Sequence, residues 1–374
     1  MGPLAGVKVT QLAGQGPVPF ACLLLADMGA TVTRVDPPGA PLRHPLGILQ
    51  RGSRSAAVDL KSELGQEVGL RLAAASDILL EGFRPGVAER LGVGPERCLA
   101  ANPRLVYGRM SAFGQDGPYS ARAGHDINAI AVAGVLEPIG RRGQKPTPPL
   151  ALVGDMGGGG ALLALAAVAA LLHARETGEG QVIDASMAEG AALLGTYLYR
   201  SWALGEIRER GTNMLDSGAH FYEVYETADG RYVAVGAIEE PFYRALLEVS
   251  GLAAEPLPEQ WDRERWPELK ERLAEVFRRR TQAEWCALMD RFDACLAPVH
   301  SPGEAPLDLH SVARGSFLER AAVVQPAPAP RFGKTPSEAG VPPSRLGEHT
   351  DEVLAELGYS AAERARLREA RAVA

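Results

Sequence analysis

Between residues 7 and 185 the chain alternates between two hydrophobic periods, and few folds accept that pattern. Strand-type stretches fall at 7–12, 31–36, 77–80, 104–110 and 181–185, with helix-type stretches at 18–29 and 64–75 and a long apolar helix after residue 160. A strand that must be followed by a helix before the next strand can only rejoin its sheet in parallel, through a crossover. The expectation is therefore an α/β domain with a doubly wound parallel sheet.

The period changes after residue 220. Phe221–Glu226 and Arg231–Ile238 flank Asp229-Gly230, which predicts a β-hairpin with a type I′ turn, and amphipathic helices follow at 241–250, 266–279 and 282–292. At 374 residues the chain exceeds the length of about 150 typical of one domain, so the change of pattern marks a second, smaller α+β domain. The expected division is a large domain over 1–205 completed by 326–374, a linker over 206–220, a small domain over 221–310, and a return linker over 311–325. Pro326–Pro330 reads as extended chain leading back to the first domain, where 350–358 and 360–371 form closing helices.

Arginines are scattered singly and the net charge is −7, which leaves no basic stripe to follow a nucleic-acid backbone. Cys22, Cys98, Cys286 and Cys295 match no metal-ligand spacing, so no metal site is expected and a reducing cytoplasm suits them. Val7–Thr10 already reads as a strand, so no signal peptide is expected. The apolar run at 161–172 falls short of the roughly 20 residues of a membrane span and reads as a core helix.

Gly14-Gln15-Gly16, between a strand and a helix and with Asp36 ending the next strand, has the outline of a dinucleotide fingerprint. Pro19 stands where its third glycine belongs, which disfavours nicotinamide binding and leaves a turn able to meet another phosphate-bearing ligand. A different chemistry is suggested by Gly124-His125-Asp126-Ile127-Asn128 and, thirty residues on, Gly154-Asp155-Met156 with glycines at 157–160. His125 alone reads as a structural histidine and Asp155 alone as a helix cap. Four glycines at a helix start cost helix propensity, and close approach of a ligand to the backbone would account for them. Together an imidazole, a carboxylate and helix-terminal amides could remove a proton next to a carbonyl and hold the resulting oxyanion. The helix N-terminus lowers the Asp155 pKa and an apolar pocket raises it, so burial decides its strength as a base. Glu239 and Glu240 end a strand of the small domain. Arg51, Arg54 and Lys61 frame a short strand at 56–60 and would suit a polyanion. Trp261, Trp266 and Trp285 are spaced as core residues of a helical domain.

Several separate segments carry a family resemblance. Pro3–Val9, Leu25–Ala30, Val58–Lys61, Glu81–Gly86, Gly114–Pro118 and Leu346–Leu354 resemble family III CoA transferases, over about residues 3–360. Gly124–Asn128, Asn213–Asp216 and Gly236–Glu239 resemble the α-methylacyl-CoA racemase branch in particular. The resemblance implies a Rossmann-like large domain joined by linkers to the small one, in an interlocked homodimer. It implies an acyl-CoA substrate, with CoA part of that substrate and no cofactor besides. It implies His125 and Asp155 as the two bases, with Glu239 of the partner subunit assisting the histidine. CoA would be held by Ala13, Gly14, Gln15, Ala57, Val58, Asp59, Leu60, Lys61, Gly82, Phe83, Arg84, Arg90, Gly124, Asp126, Ile127 and Asn128. Pro37-Pro38 stand where that branch usually has Arg-Pro, leaving Arg34 or Arg43 as substitutes. The implied reaction interconverts (2R)- and (2S)-2-methylacyl-CoA through an enolate held by amides around Asp155 and its glycines. The alternative is CoA transfer with Asp155 as nucleophile.

Overall fold

The computed structural model describes residues 2–12, 14–39, 47–289 and 291–374, so the expectations for Ala13 and Arg43 lie outside the described residues. The chain separates into two compact units, one of 1–133, 149–195 and 310–374, the other of 134–148 and 196–309. Residues 134–148 and 196–205, assigned above to the large domain, cluster with the second unit.

The first unit holds β1 (Lys8–Leu12), α1 (Pro17–Asp27), β2 (Thr31–Asp36), β3 (Ser53–Ala57), α2 (Glu63–Ala74), β4 (Ile78–Glu81), α3 (Val87–Arg90), α4 (Pro95–Ala101), β5 (Val106–Ser111) and α5 (Asp126–Val132). A π-helical segment, Leu152–Ala161, then continues as α6 (Leu162–Thr177), before β6 (Gln181–Ser186) and α7 (Met187–Leu194). The six strands are parallel in the order β3-β2-β1-β4-β5-β6, the doubly wound order of a Rossmann sheet. Alternation along β4 shows how the sheet is covered on both faces. Ile78 and Leu80 enter one core layer with α1 and α6, and Leu79 enters the other with α2 and α4.

That second layer is closed by the end of the chain. Beyond α12 (Leu309–Arg314) and the hairpin β10 (Phe317–Arg320) and β11 (Val323–Pro326), α13 (Thr350–Glu356) and α14 (Ala361–Glu369) supply Val353, Leu354 and Leu367 to it. Val58 forms a bridge with Val373, and Asp59 N–H donates to the Ala372 carbonyl at 2.8 Å. The returning chain is also held by Arg51, whose buried guanidinium pairs with Asp27 at 2.5 Å and donates to Gln325 Oε1 and the Pro326 carbonyl. Arg54 pairs with Glu352 and Glu356. Both arginines are thus spent within the fold and are not framing a polyanion site.

The second unit begins its regular structure with α8 (Thr196–Ala203). Its sheet is antiparallel, β7 (Tyr222–Glu226), β8 (Tyr232–Gly236) and β9 (Leu296–Pro298), and it packs with α9 (Glu240–Ser250), α10 (Trp266–Phe277) and α11 (Gln282–Leu288). The β7–β8 connection is not a type I′ turn. Gly230 N–H donates to Thr227 O, Gly230 alone has positive φ (71°), and Thr227 N–H donates to Arg231 O. This is a type I turn with a glycine bulge, which leaves Asp229 in ordinary backbone space. Trp266 and Trp285 are core residues, whereas Trp261 is half exposed and meets Phe221 edge-on at 5.0 Å.

The apolar helix is longer than the sequence suggests, because the π-helical segment and α6 form one rod of 26 residues, long and apolar enough to cross a membrane by length and composition. Leu163, Ala164, Ala167, Ala170, Leu171 and Ala174 bury one side of it against the sheet. Its glycine end is gripped on two sides. A Cβ on Gly159 would lie 2.8 Å from Pro17 Cβ of α1, and one on Gly158 would lie 2.6 Å from the Ala191 nitrogen of α7. Gly190 answers from α7, where a Cβ would overlap the Gly158 carbonyl. Gly190→Ala therefore forces two backbones apart, and a loss of about 1–3 kcal/mol is expected from urea unfolding followed by circular dichroism.

Candidate active site

A cavity of about 520 Å³ opens in the first unit at the carboxyl ends of β1, β4, β5 and β6. Its position spans the point between β1 and β4 where the strand order reverses, the usual ligand site of a doubly wound sheet. Gly14, Gln15, Gly16, Pro17 and Val18 come from the β1–α1 turn, Gly82, Phe83, Arg84 and Pro85 follow β4, and Gly124, His125 and Asp155 face the same space.

His125 is the exposed N-cap of α5, in extended conformation (φ −116°, ψ 177°), and its N–H donates to Asn128 Oδ1 at 3.1 Å. Asp155 lies on the π-helical segment, entered through Leu150 and Ala151, both at positive φ (55° and 62°). Two such residues in succession cost on the order of 1–3 kcal/mol each, a strain that collects at functional sites, as π-helical turns do. Gly16, itself at φ 63°, stands opposite, and a Cβ there would lie 2.5 Å from Asp155 Oδ2.

Asp126 joins these parts. Its carboxylate is buried, and Oδ1 accepts the N–H of Gly154 and, at 2.8 Å, that of Asp155. The amides of Gly154 and Asp155 are therefore occupied and do not hold an oxyanion, contrary to the sequence expectation. The glycines at 157–160 lie inside the π-helix, and their missing side chains admit α1 and α7, not a ligand. Burial lifts the Asp155 carboxyl above the ordinary aspartate range, the Asp126 charge adds to that, and His125 pulls the other way.

The remaining expected residues are spread over the first unit. Gly14, Gln15, Gly82, Phe83 and Arg84 line the cavity. Ala57, Val58 and Leu60 are buried beside the C-terminal strand pairing, Asp59 Oδ1 accepts the Lys61 N–H, and Lys61 and Arg90 are exposed outside the cavity lining. Ile127 and Asn128 are exposed on α5. Arg34 does not replace a missing ligand-facing arginine: it is buried, pairs with Asp36 at 2.7 Å and donates to Ser53. Asp36 also accepts from Ser55, which removes it from any ribose-binding role. Glu239 is exposed at the N-cap of α9 in the second unit, on a turn whose Ala237 and Ile238 carbonyls accept from Gln260.

Other residues carry the site without having stood out in the sequence. Arg122 lines the cavity and stacks over Tyr119 at 4.1 Å, a placement set by a loop conformation that no period encodes. Glu81 is fully buried beneath the Gly82–Arg84 turn, accepting from Phe83 N–H at 2.6 Å and from Arg109 at 3.0 Å. Burial pushes its carboxyl up to about 7 against those two donors. Its signal was an acidic residue ending an otherwise apolar strand. Among the described residues no group of three His, Cys, Asp or Glu is placed to hold a metal ion.

Fold and cavity define an α/β protein in which a histidine and an aspartate face one cavity at the switch point of a Rossmann sheet. The chain belongs to CoA-transferase family III, whose model matches residues 4–350. It is 48% identical over 361 residues to α-methylacyl-CoA racemase of Mus musculus, covering 96% of this chain and 94% of that one. It is 46% identical over 363 residues to α-methylacyl-CoA racemase of Homo sapiens, with the same coverage. In fold it is similar to the crystal structure of a CaiB/BaiF family protein from Brucella suis, with a TM-score of 0.83 at 24% identity over 95% of this chain and 99% of that one.

A carboxyl with a raised folded pKa holds its proton where the unfolded chain has lost it, so stability falls as pH rises through that window and stays lower at neutral pH. Asp155→Asn should accordingly raise the unfolding midpoint at pH 7, with the difference vanishing below about 3.9, the ordinary aspartate pKa. A lower midpoint for the variant at pH 7 would show the ionised carboxyl to be stabilising.

Proposed function

We propose that the protein is an isomerase that interconverts (2R)- and (2S)-2-methylacyl-CoA thioesters by 1,1-proton transfer. The observation that carries this reading is the presence of His125 and Asp155 in one cavity, in a chain close in sequence to racemases. Inverting a carbon beside a thioester needs a base on one face and an acid on the other. His125 serves one face and Asp155 the other, and the base that took the proton in one direction returns it in the reverse. The thioester oxygen is held by the amide of Asp126 in the open first turn of α5, where helix N–H groups lack intrahelical acceptors. Arg84 and Arg122 suit the CoA phosphates, and the Gly14–Gly16 turn lets the thioester approach Asp155. CoA enters as part of the substrate, and no cofactor is assigned.

The active form is a homodimer with interlocked chains, in which Glu239 of the partner subunit assists His125. Val132, Leu152, Leu165, Leu172, Leu193 and Leu194 of the first unit are each more than half exposed, a large apolar display for a lone chain, and a second copy is the partner that fits it. All four cysteines are free, which supports a cytoplasmic setting.

In deuterated water the protein should place deuterium at C2 of either enantiomer of a 2-methylacyl-CoA with no second substrate, read by mass spectrometry. His125→Ala should abolish racemisation. Transfer of CoA to a free acid, with hydroxylamine trapping of Asp155 and indifference to His125→Ala, would establish the transferase reading instead. Sedimentation velocity should show a dimer, and a monomer at micromolar concentration would remove the role given to Glu239.

A further inference from the structure

We propose that Asp126 is a positioning residue that ties Asp155 to His125 and governs how the single catalytic proton is shared between them. The proposal rests on the racemase reading and gives Asp126 a role other than contact with CoA.

The geometry is specific. Asp126 follows His125 directly in the chain, opens α5 and is 6% exposed. Its Oδ1 takes both backbone donors of the turn that carries Asp155, so one carboxylate fixes the spacing between the two bases. Gly154 is what admits it, since a Cβ there would lie 2.6 Å from Asp126 Oδ1 and 3.1 Å from its Cα. Among the described residues no arginine or lysine forms an ion pair with Asp126, so its charge acts on its surroundings unpaired. The charges felt by Asp155 come from Asp126 and His125. Arg84 and Arg122 line the same cavity, and the other elements packed on the segment bring Asp27 at the far end of α1, Glu189 on α7, Asp184 on β6, and His173, Arg175 and Glu176 at the far end of α6. Asp27 is spent on Arg51 and Asp184 on the Gln115 amide.

A two-base racemase works with one proton on its pair. With imidazolium and carboxylate it attacks one enantiomer through Asp155, and with imidazole and carboxylic acid it attacks the other through His125. Each turnover moves one proton from C2 to one base and one from the other base to C2, so the pair leaves in the opposite form. At ordinary pKa values the imidazolium–carboxylate form would dominate by roughly 400-fold, and the second form would be scarce. A buried carboxylate with no ion-pair partner beside Asp155 narrows that gap by making the ionised Asp155 costlier, without adding a group that itself reaches the substrate. Because the two enantiomers interconvert near unit equilibrium, a shortage of either form slows both directions.

Asp126→Asn retains an oxygen acceptor for the two amides and removes the charge, and Asp126→Ala removes both. For Asp126→Asn the acid limb of kcat/KM should move to lower pH and kcat should fall severalfold with little change in KM. For Asp126→Ala kcat should fall by about 100-fold, as expected when a base is displaced by an ångström. The carboxyl ¹³C resonance of Asp155, followed against pH without substrate and assigned with Asp155→Asn, should titrate at lower pH in Asp126→Asn than in the unmodified protein. That readout does not depend on which reaction the protein performs, so it separates failure of this proposal from failure of the racemase reading. An unmoved Asp155 titration in folded Asp126→Asn, or a rise in KM with kcat intact, would overturn the proposal.

Discussion

The site depends on one backbone contact, the passage of a glycine-walled helix between α1 and α7 at distances no side chain permits. Two consequences follow from glycines on the two sides of this contact. Removing side chains at 157–160 lets the π-helical segment sit deep in the first core layer, which brings Asp155 up to the β1–α1 turn. Removing the side chain at Gly16 leaves room for the carboxylate that arrives there. Glycines that weaken a helix by propensity therefore stabilise it by packing, and the helix carries its carboxylate into the cavity.

That arrangement explains why Asp155 is a stronger base than an aspartate at a helix start should be. A helix terminus acts through amide dipoles that water screens within a turn, whereas partial burial and a neighbouring carboxylate act directly on Asp155. The amides that would have favoured the ionised form are turned to Asp126. One carboxylate thus takes the stabilising donors away from another. A site in which the proton must sit at comparable cost on either of two bases calls for that kind of balance.

The large fold was legible because its signals are periodic. Strands covered on both faces, crossover helices and a turn after β1 led directly to the parallel sheet, and family-level resemblance led to the same protein class. What escaped was information held in contacts between distant segments. The glycine run suggested room for a ligand, and only the packing of Pro17 and Ala191 shows that two helices fill that room. Arg34, Arg51 and Arg54 read as free cations because Asp36, Asp27 and Glu356 are not marked as their partners by any spacing, and for two of the three the partner lies far along the chain. Asp126 and Asn128 resembled ligand contacts by adjacency to His125, yet the Asp126 carboxylate faces inward, and no periodicity distinguishes an inward from an outward residue in a single helical turn.

The pairing of Val58 with Val373 bears on how the molecule is made. β3 is made before the second unit, and the residues that cover its end are made only after it. The second unit draws its sheet and most of its helices from one nearly continuous stretch and has the shorter loops to close. During synthesis, then, the part of the second apolar layer that α13 and α14 cover stays open after α2 and α4 are already in place. That exposed interval, rather than the finished structure, is where aggregation and chaperone engagement would concentrate.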